Sequence, residues 1–277
     1  MIAPSQQHMR SRGGVGGGGG AVARLLAHAI DYAGLYPPAA LAMSEAVREY
    51  DRQRTGPHAW ALGRFVVGAD RLDDFLAARQ LLSPGAWPLS LLTSRGDRAF
   101  PDLTRHSDLL RVEAVEAKAA TIDEVAALEP LASRAPVLYV ELPVVGQLEA
   151  LLAAVRALGA RAKVRTGGVT ADAIPPPESV ARFMGACVAT GVPFKATAGL
   201  HHVIRGEYPL TYEPDSARAT MFGFLNVFVA SALAVHRAPG EIVTEVLEER
   251  DIRAFRASGR GDAVCWRERC LTSTDLA

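Results

Sequence analysis

Two short segments hold the residues best suited to chemistry: Lys163–Gly168, KVRTGG, and Phe194–His202, FKATAGLHH. Read as strand ends, the first puts Lys163 and Arg165 on one face, with Val164 and Thr166 on the other. The second puts Lys195 and Thr197 opposite Phe194 and Ala196. Lysine and arginine are rarely buried unless paired or bound to a ligand, and three cations on neighbouring strands repel one another until anions join them. Glu113 and Glu141 are the carboxylates expected to supply part of that charge, and an anionic substrate group the rest. Glycines follow both strands, Gly167 and Gly168 on one loop and Gly199 on the next. Glycine lets backbone N–H groups approach a phosphate or carboxylate closely. The pattern predicts a site for a small anionic molecule. The alternative is a buried ion-pair network with no catalytic role.

Other residues fall where they would join such a site. His201 and His202 point opposite ways in an extended segment, so only one reaches a given atom. Imidazole titrates near neutrality and suits acid–base work, which His201 is expected to perform while His202 binds substrate. No HExxH or CxxC spacing supports a metal, and no metal or cofactor is expected. Asp31, at the end of an early strand, is placed to bind a substrate hydroxyl, and Arg64 to clamp an anion or pair with a carboxylate. Asn226 lies inside an apolar run and needs hydrogen-bond partners, either substrate or backbone.

The elements that must position these residues alternate. Short β-branched or aromatic runs read as strands at Arg64–Val67, Pro88–Leu92, Leu109–Glu113, Val137–Leu142, Ala162–Arg165 and Pro193–Thr197, with another near Ala27–Asp31. Apolar-periodic helices fall at Leu41–Arg54, Arg71–Leu82, Ile122–Leu131, Gln147–Leu158 and Glu178–Ala189. Met221–Val235 reads as a buried helix, and Glu241–Phe255 as another. Strand–helix alternation implies parallel strands joined by crossovers. An open nucleotide-binding sheet would carry a glycine fingerprint after its first strand, and none is found. The fold expected is therefore an α/β, (β/α)8 TIM-like barrel, whose active face lies at the C-terminal ends of its strands. Its eighth unit is atypical: a small hairpin, Phe255–Arg256 with Val264–Arg267, stands where a closing strand is due. The barrel would then be closed by another element, left partly open, or covered by a partner chain; a homo-oligomer is one expected partnership.

The two strand ends resemble those of class I aldolases of the deoxyribose-phosphate aldolase type. In that family one strand carries Lys-x-Ser-Thr-Gly, whose lysine forms a Schiff base, and the next carries Lys-Ala-Ser/Ala-Gly-Gly, whose lysine tunes the first. KVRTGG and KATAGL match these over about a dozen residues. The resemblance implies that Lys163 is the nucleophile and Lys195 lowers its pKa; Lys195 equally serves as the Schiff-base former. Arg165 stands where the family has serine, Thr197 and Ala198 alter the second motif, and no motif matches the family's acidic proton relay.

Composition bounds the remaining choices. The 277 residues carry 30 Lys+Arg and 30 Asp+Glu, a formal net charge of zero, which argues against a nucleic-acid binder. The run of 15 apolar residues at Met221–Val235 is too short for a membrane span; residues 1–20, a charged start followed by glycines with no apolar stretch, are expected to be a flexible tail and not a signal peptide. Residues 21–277 are read as one barrel domain, with a long 200–220 loop, a lid or binding loop, and a small C-terminal hairpin. The three cysteines, Cys187, Cys265 and Cys270, are expected to be inert thiols in a cytoplasmic protein. Three functions compete: a lyase acting on a small anionic carbonyl compound through a strand-end lysine, an acid–base isomerase or phosphoribosyl-handling enzyme at the same anion site, and a non-catalytic ligand-binding or assembly subunit.

Overall fold

In the computed structural model the described residues are 20–80, 82, 84–93 and 108–276. The expected tail, up to residue 19, lies outside them. The chain begins with α1 (Ala21–Leu26), β1 (Ile30–Tyr32), α2 (Met43–Arg54) and β2 (Leu62–Gly68). It continues with α3 (Leu72–Arg79), β3 (Trp87–Leu92) and β4 (Leu110–Lys118). Two short helices, α4 (Ile122–Ala126) and α5 (Glu129–Ala132), lead to β5 (Leu138–Glu141). Then come α6 (Leu148–Ala157), β6 (Arg161–Arg165), α7 (Pro177–Thr190) and β7 (Phe194–Thr197). Local chemistry explains the cleanest of these boundaries. Pro177 opens α7, where a missing N–H costs nothing, and Gly191 closes it in the left-handed region at φ 68°.

All seven strands join one sheet in sequence order, β1 to β7, and every pairing is parallel. The fold is thus α/β, with a curled seven-stranded parallel sheet flanked by helices. Among the described residues no eighth strand joins it, so the eight-unit expectation reduces to this seven-stranded sheet. Alternate residues such as Phe65, Val67, Leu89, Leu91, Val140 and Val164 bury against the helices in the main apolar cluster. The intervening set, including Arg64, Ser90, Glu116, Glu141, Lys163 and Lys195, faces the concave side. Lys195 on β7 bonds both Asp31 on β1 and Glu116 on β4, contacts that only a strongly curled sheet allows. On the helix-covered side Tyr50, Phe65, Phe75 and Trp87 meet in tilted and edge-to-face pairs with centroids 4.9 to 6.2 Å apart, and the Arg79 guanidinium covers the Trp87 ring at 4.3 Å.

One irregularity shapes the concave face. β4 pairs with β3 at Leu89↔Val112 and then at Ser90↔Ala114, leaving Glu113 as the extra residue of a bulge. The bulge shifts the side-chain alternation by one, so Glu113 and Glu116, three apart, both serve the concave side. β4 also runs to Lys118 rather than ending at Glu113.

Several elements differ from expectation. The 200–220 segment is not a bare loop: it carries β8 (Gly206–Pro209) paired antiparallel with β9 (Arg218–Met221). Next come α8 (Phe224–Val235) and α9 (Gly240–Glu248), so the apolar run is split between a strand end and a helix. At the split, Gly223 packs closely on the chain: a Cβ there would stand 2.4 Å from Ile204 backbone. The terminal hairpin gains a third strand, β10 (Phe255–Ala257), β11 (Ala263–Trp266) and β12 (Arg269–Thr272) forming one antiparallel sheet. It packs with α7, α8 and α9 in a second apolar cluster that includes Phe222, Val246 and Trp266. Cys265 and Cys270 face each other across β11 and β12 and form a disulfide, so they are not the free thiols expected; Cys187 remains free and buried. No helix among the described residues is long and apolar enough to cross a membrane.

Candidate functional site

The concave face carries a row of shared ion pairs. Glu116, only 3% exposed, is its centre. One carboxylate oxygen accepts from Ser90 Oγ at 2.6 Å and from Lys195 Nζ at 2.6 Å, and the other from Lys163 Nζ at 2.8 Å. Lys195 also donates to Asp31 at 2.9 Å, while the Lys163 amine lies 2.7 Å from Glu141 Oε2. Each lysine therefore stands between two carboxylates, and the two lysines share one. Lys163 and Lys195 are directly paired neighbours on β6 and β7, which is why one carboxylate from the facing strand reaches both.

Electrostatics follow from this geometry. Burial pushes the Glu116 carboxyl up, but the Lys163 and Lys195 ammonium groups outweigh it and hold the group down at about 2. Glu141 behaves likewise: burial raises it, and Lys163, then Lys118 and Arg165, bring it below the usual carboxylate range. Burial draws Lys195 down, and Glu116 and Asp31 more than offset that, leaving it above its ordinary value.

The row reaches solvent at a cleft of about 470 Å³ beside the C-terminal ends of β4, β5 and β6. The last residues of those strands, Lys118, Glu141 and Arg165, all line it. Lys118 Nζ lies 3.3 Å and Arg165 Nη1 3.9 Å from Glu141 Oε1. Glu141 therefore turns one oxygen to the buried lysine and the other to the cleft. This is where parallel α/β sheets place ligands.

The structure brings together Lys163, Lys195, Glu141, Asp31 and, at the mouth, Arg165. It sets Arg64 and Glu113 nearer the N-terminal side of their strands, where Arg64 Nε lies 3.2 Å from Glu113 and the Arg64 N–H donates to Asp31 at 2.8 Å. Glu113 also pairs with Arg111 at 2.5 Å. The glycines serve packing. A Cβ on Gly167 would stand 2.7 Å from Gly199 Cα, and one on Gly168 2.6 Å from Ala173 Cβ, so both positions need glycine for close approach, and none of Gly167, Gly168 and Gly199 lines the cleft. Thr166 is spent on the same junction, donating to the Ala198 carbonyl at 2.6 Å, and Thr197 Oγ1 donates back to Val164 at 3.5 Å.

His202 stacks on the Tyr208 ring at 3.5 Å, and no hydrogen bond joins it or His201 to the lysine row among the described residues. Asn226 lies away from the cleft and is fully buried, with all its bonds going to backbone. It accepts from the Arg205 N–H at 2.9 Å and donates to the Val246 and Glu249 carbonyls at 2.8 Å each. Of the two roles open to it, the backbone one is what the structure displays. Among the described residues no group of three or more His, Cys, Asp or Glu is arranged to hold a metal ion.

Three residues escaped the sequence reading: Glu116, Ser90 and Lys118. Strict alternation from Glu113 puts Glu116 on the opposite face, and only the bulge brings it inside. Lys118 was hidden because β4 was read five residues short. No known family model matches the chain, and no curated protein matches it significantly.

Proposed function

We propose that the chain is a lyase that makes or breaks a carbon–carbon bond beside the carbonyl of a small anionic compound, through a Schiff base on Lys163. The reading takes the curled sheet as a TIM-like barrel whose first and last strands are linked through Asp31 and Lys195. The observation that carries it is the pair of adjacent-strand lysines sharing Glu116, with Lys163 also held by a carboxylate that opens onto the cleft. A lysine attacks a carbonyl only as a neutral amine. Here the proton passes from the Lys163 ammonium to Glu141 as substrate arrives, and the amine adds to the carbonyl carbon. Glu141 returns that proton to the departing hydroxyl, which leaves as water, giving a protonated imine. A carboxylate then takes the proton of the β-hydroxyl, the Cα–Cβ bond breaks and its electron pair enters the imine. An aldehyde and an enamine result; protonation at carbon and hydrolysis by water free Lys163. Lys195 stays charged between Glu116 and Asp31, beside Lys163 on the neighbouring strand.

Borohydride reduction in the presence of pooled carboxylated and phosphorylated aldehydes and ketones tests this, read by intact and peptide mass. The expected result is one adduct on Lys163, absent in Lys163→Met. No adduct on the folded protein, or one on neither Lys163 nor Lys195, overturns the proposal. One observation favours a second reading: Glu141, not Lys163, lines the cleft. Proton transfer by Glu141 alone would give an isomerase, active without any adduct and abolished in Glu141→Gln.

A further inference from the structure

We infer that the cleft takes a monocarboxylate with an apolar body, a branched or aromatic 2-oxo acid in chemical class, rather than a phosphorylated sugar. This deepens the proposed function and rests on its placement of substrate at the same cleft. Four polar side chains line the cleft: Lys118, Glu141, Arg165 and Asp172. The rest of the wall is apolar, with Val144, Val145, Ile174 and Pro175 among its residues, and Val145 is 65% exposed on it. A polyhydroxylated sugar would leave most of its hydroxyls without partners on such a wall, a costly arrangement for groups taken out of water. An alkyl or phenyl group instead covers it and gains from leaving water.

The polar end fits one negative charge. Lys118 and Arg165 have no carboxylate partner among the described residues other than Glu141, and both meet the same oxygen of it at 3.3 and 3.9 Å. Two cations on one oxygen leave room for one further monoanion, which a planar carboxylate meets through the Arg165 fork. A dianionic phosphate meets added negative charge from Asp172 on the same wall. In the loops after β6 and β7, Gly167 and Gly199 pack backbone to backbone and Gly168 packs on Ala173, and none of the three lines the cleft.

Binding is measured by calorimetry on the full chain with four probes: phenylpyruvate, 4-methyl-2-oxopentanoate, pyruvate and glyceraldehyde 3-phosphate. The two apolar oxo acids are expected to bind at least about tenfold more tightly than pyruvate, from the added apolar area, and more tightly than the phosphate. Arg165→Gln and Lys118→Gln weaken all the carboxylates, whereas Val145→Asp removes the advantage of the apolar ones over pyruvate. Tighter binding of glyceraldehyde 3-phosphate, or equal affinity for pyruvate and phenylpyruvate, overturns the inference. Unchanged affinities in all three variants overturn it as well. The Schiff-base reading fails separately: if phenylpyruvate binds in this order but borohydride leaves no adduct, the ligand class stands and the covalent step does not.

Discussion

Replacing Glu116 by glutamine keeps the shape of the side chain and removes the charge on which both buried lysines converge. A carboxyl held at about 2 instead of 4.5 stabilises the folded chain by about 3 kcal/mol near neutrality, at 1.36 kcal/mol per pH unit. The amide would also leave Lys163 and Lys195 with one carboxylate each, Glu141 and Asp31, and breaking a buried ion pair costs about 3–5 kcal/mol. Both routes give a loss of about 3 kcal/mol or more at pH 7. The pH dependence has a definite sign. Because the folded-state value lies below the ordinary one, the stabilisation is complete above about 4.5 and disappears as pH falls toward 2. Urea unfolding at pH 7 and at pH 3, followed by tryptophan fluorescence, measures it. With a slope of about 3 kcal/mol per molar, the Glu116→Gln midpoint drops by about 1 M at pH 7, and the gap to the parent narrows at pH 3. Equal midpoints at pH 7, or a gap of the same size at both pH values, would refute the view of Glu116 as the shared counter-ion of both lysines.

Other parts of the molecule carry independent predictions. Asn226→Leu strips three backbone groups of their partner, and a loss of about 3 kcal/mol or more is expected in thermal or urea unfolding, with ligand affinity at the cleft unchanged. Gly199→Ala places a Cβ at φ 73° and 2.8 Å from Gly167 Cα; a loss of about 2 kcal/mol or more is expected, and a neutral result would show the two loops to be apart in solution. Reducing the Cys265–Cys270 disulfide, which spans five positions, is expected to cost about 2 kcal/mol from released chain entropy, read as a lower midpoint in dithiothreitol. Lys195 titrates in the opposite sense to Glu116. Its contribution is complete below its ordinary 10.5 and is lost as pH rises beyond that, so Lys195→Met narrows the stable range on its alkaline side.

The alternation of strands and helices was legible because it rests on local periodicity. Arg64–Val67, Ala162–Arg165 and Glu178–Ala189 all fall inside observed elements. What periodicity could not reveal was the bulge at Glu113, since a change of register depends on the partner strand. The same blindness shortened β4, because AVEAK is rich in helix formers whose preference the sheet overrides. The Ile122–Leu131 helix divides into α4 and α5, with Pro130 at the start of the second. The disulfide was missed because opposition of Cys265 and Cys270 depends on a third strand that the short CLTS stretch did not advertise. That Lys163, Lys195 and Glu141 meet in one ion-pair row was legible from residue type and strand position. Their central partner was not, for the same reason as the bulge.

The ion-pair row bears on the proton transfer proposed for Lys163 and Glu141. From the cleft inward, Lys118 and Arg165 meet Glu141, then Lys163, Glu116, Lys195 and Asp31, with Arg64 and Glu113 beyond. Signs alternate at every step, so no member is buried with a like charge as its nearest neighbour. Transfer of the Lys163 proton to Glu141 converts one buried ion pair into a neutral pair and leaves the total charge of the interior unchanged. In a low-dielectric interior that costs far less than bringing in or expelling a charge. Glu141 is also the carboxylate of the row that lines the cleft, where a ligand carboxylate would take over Lys118 and Arg165. Lys163 is the first of the charges that hold the Glu141 carboxyl down, and Lys118 and Arg165 add to it.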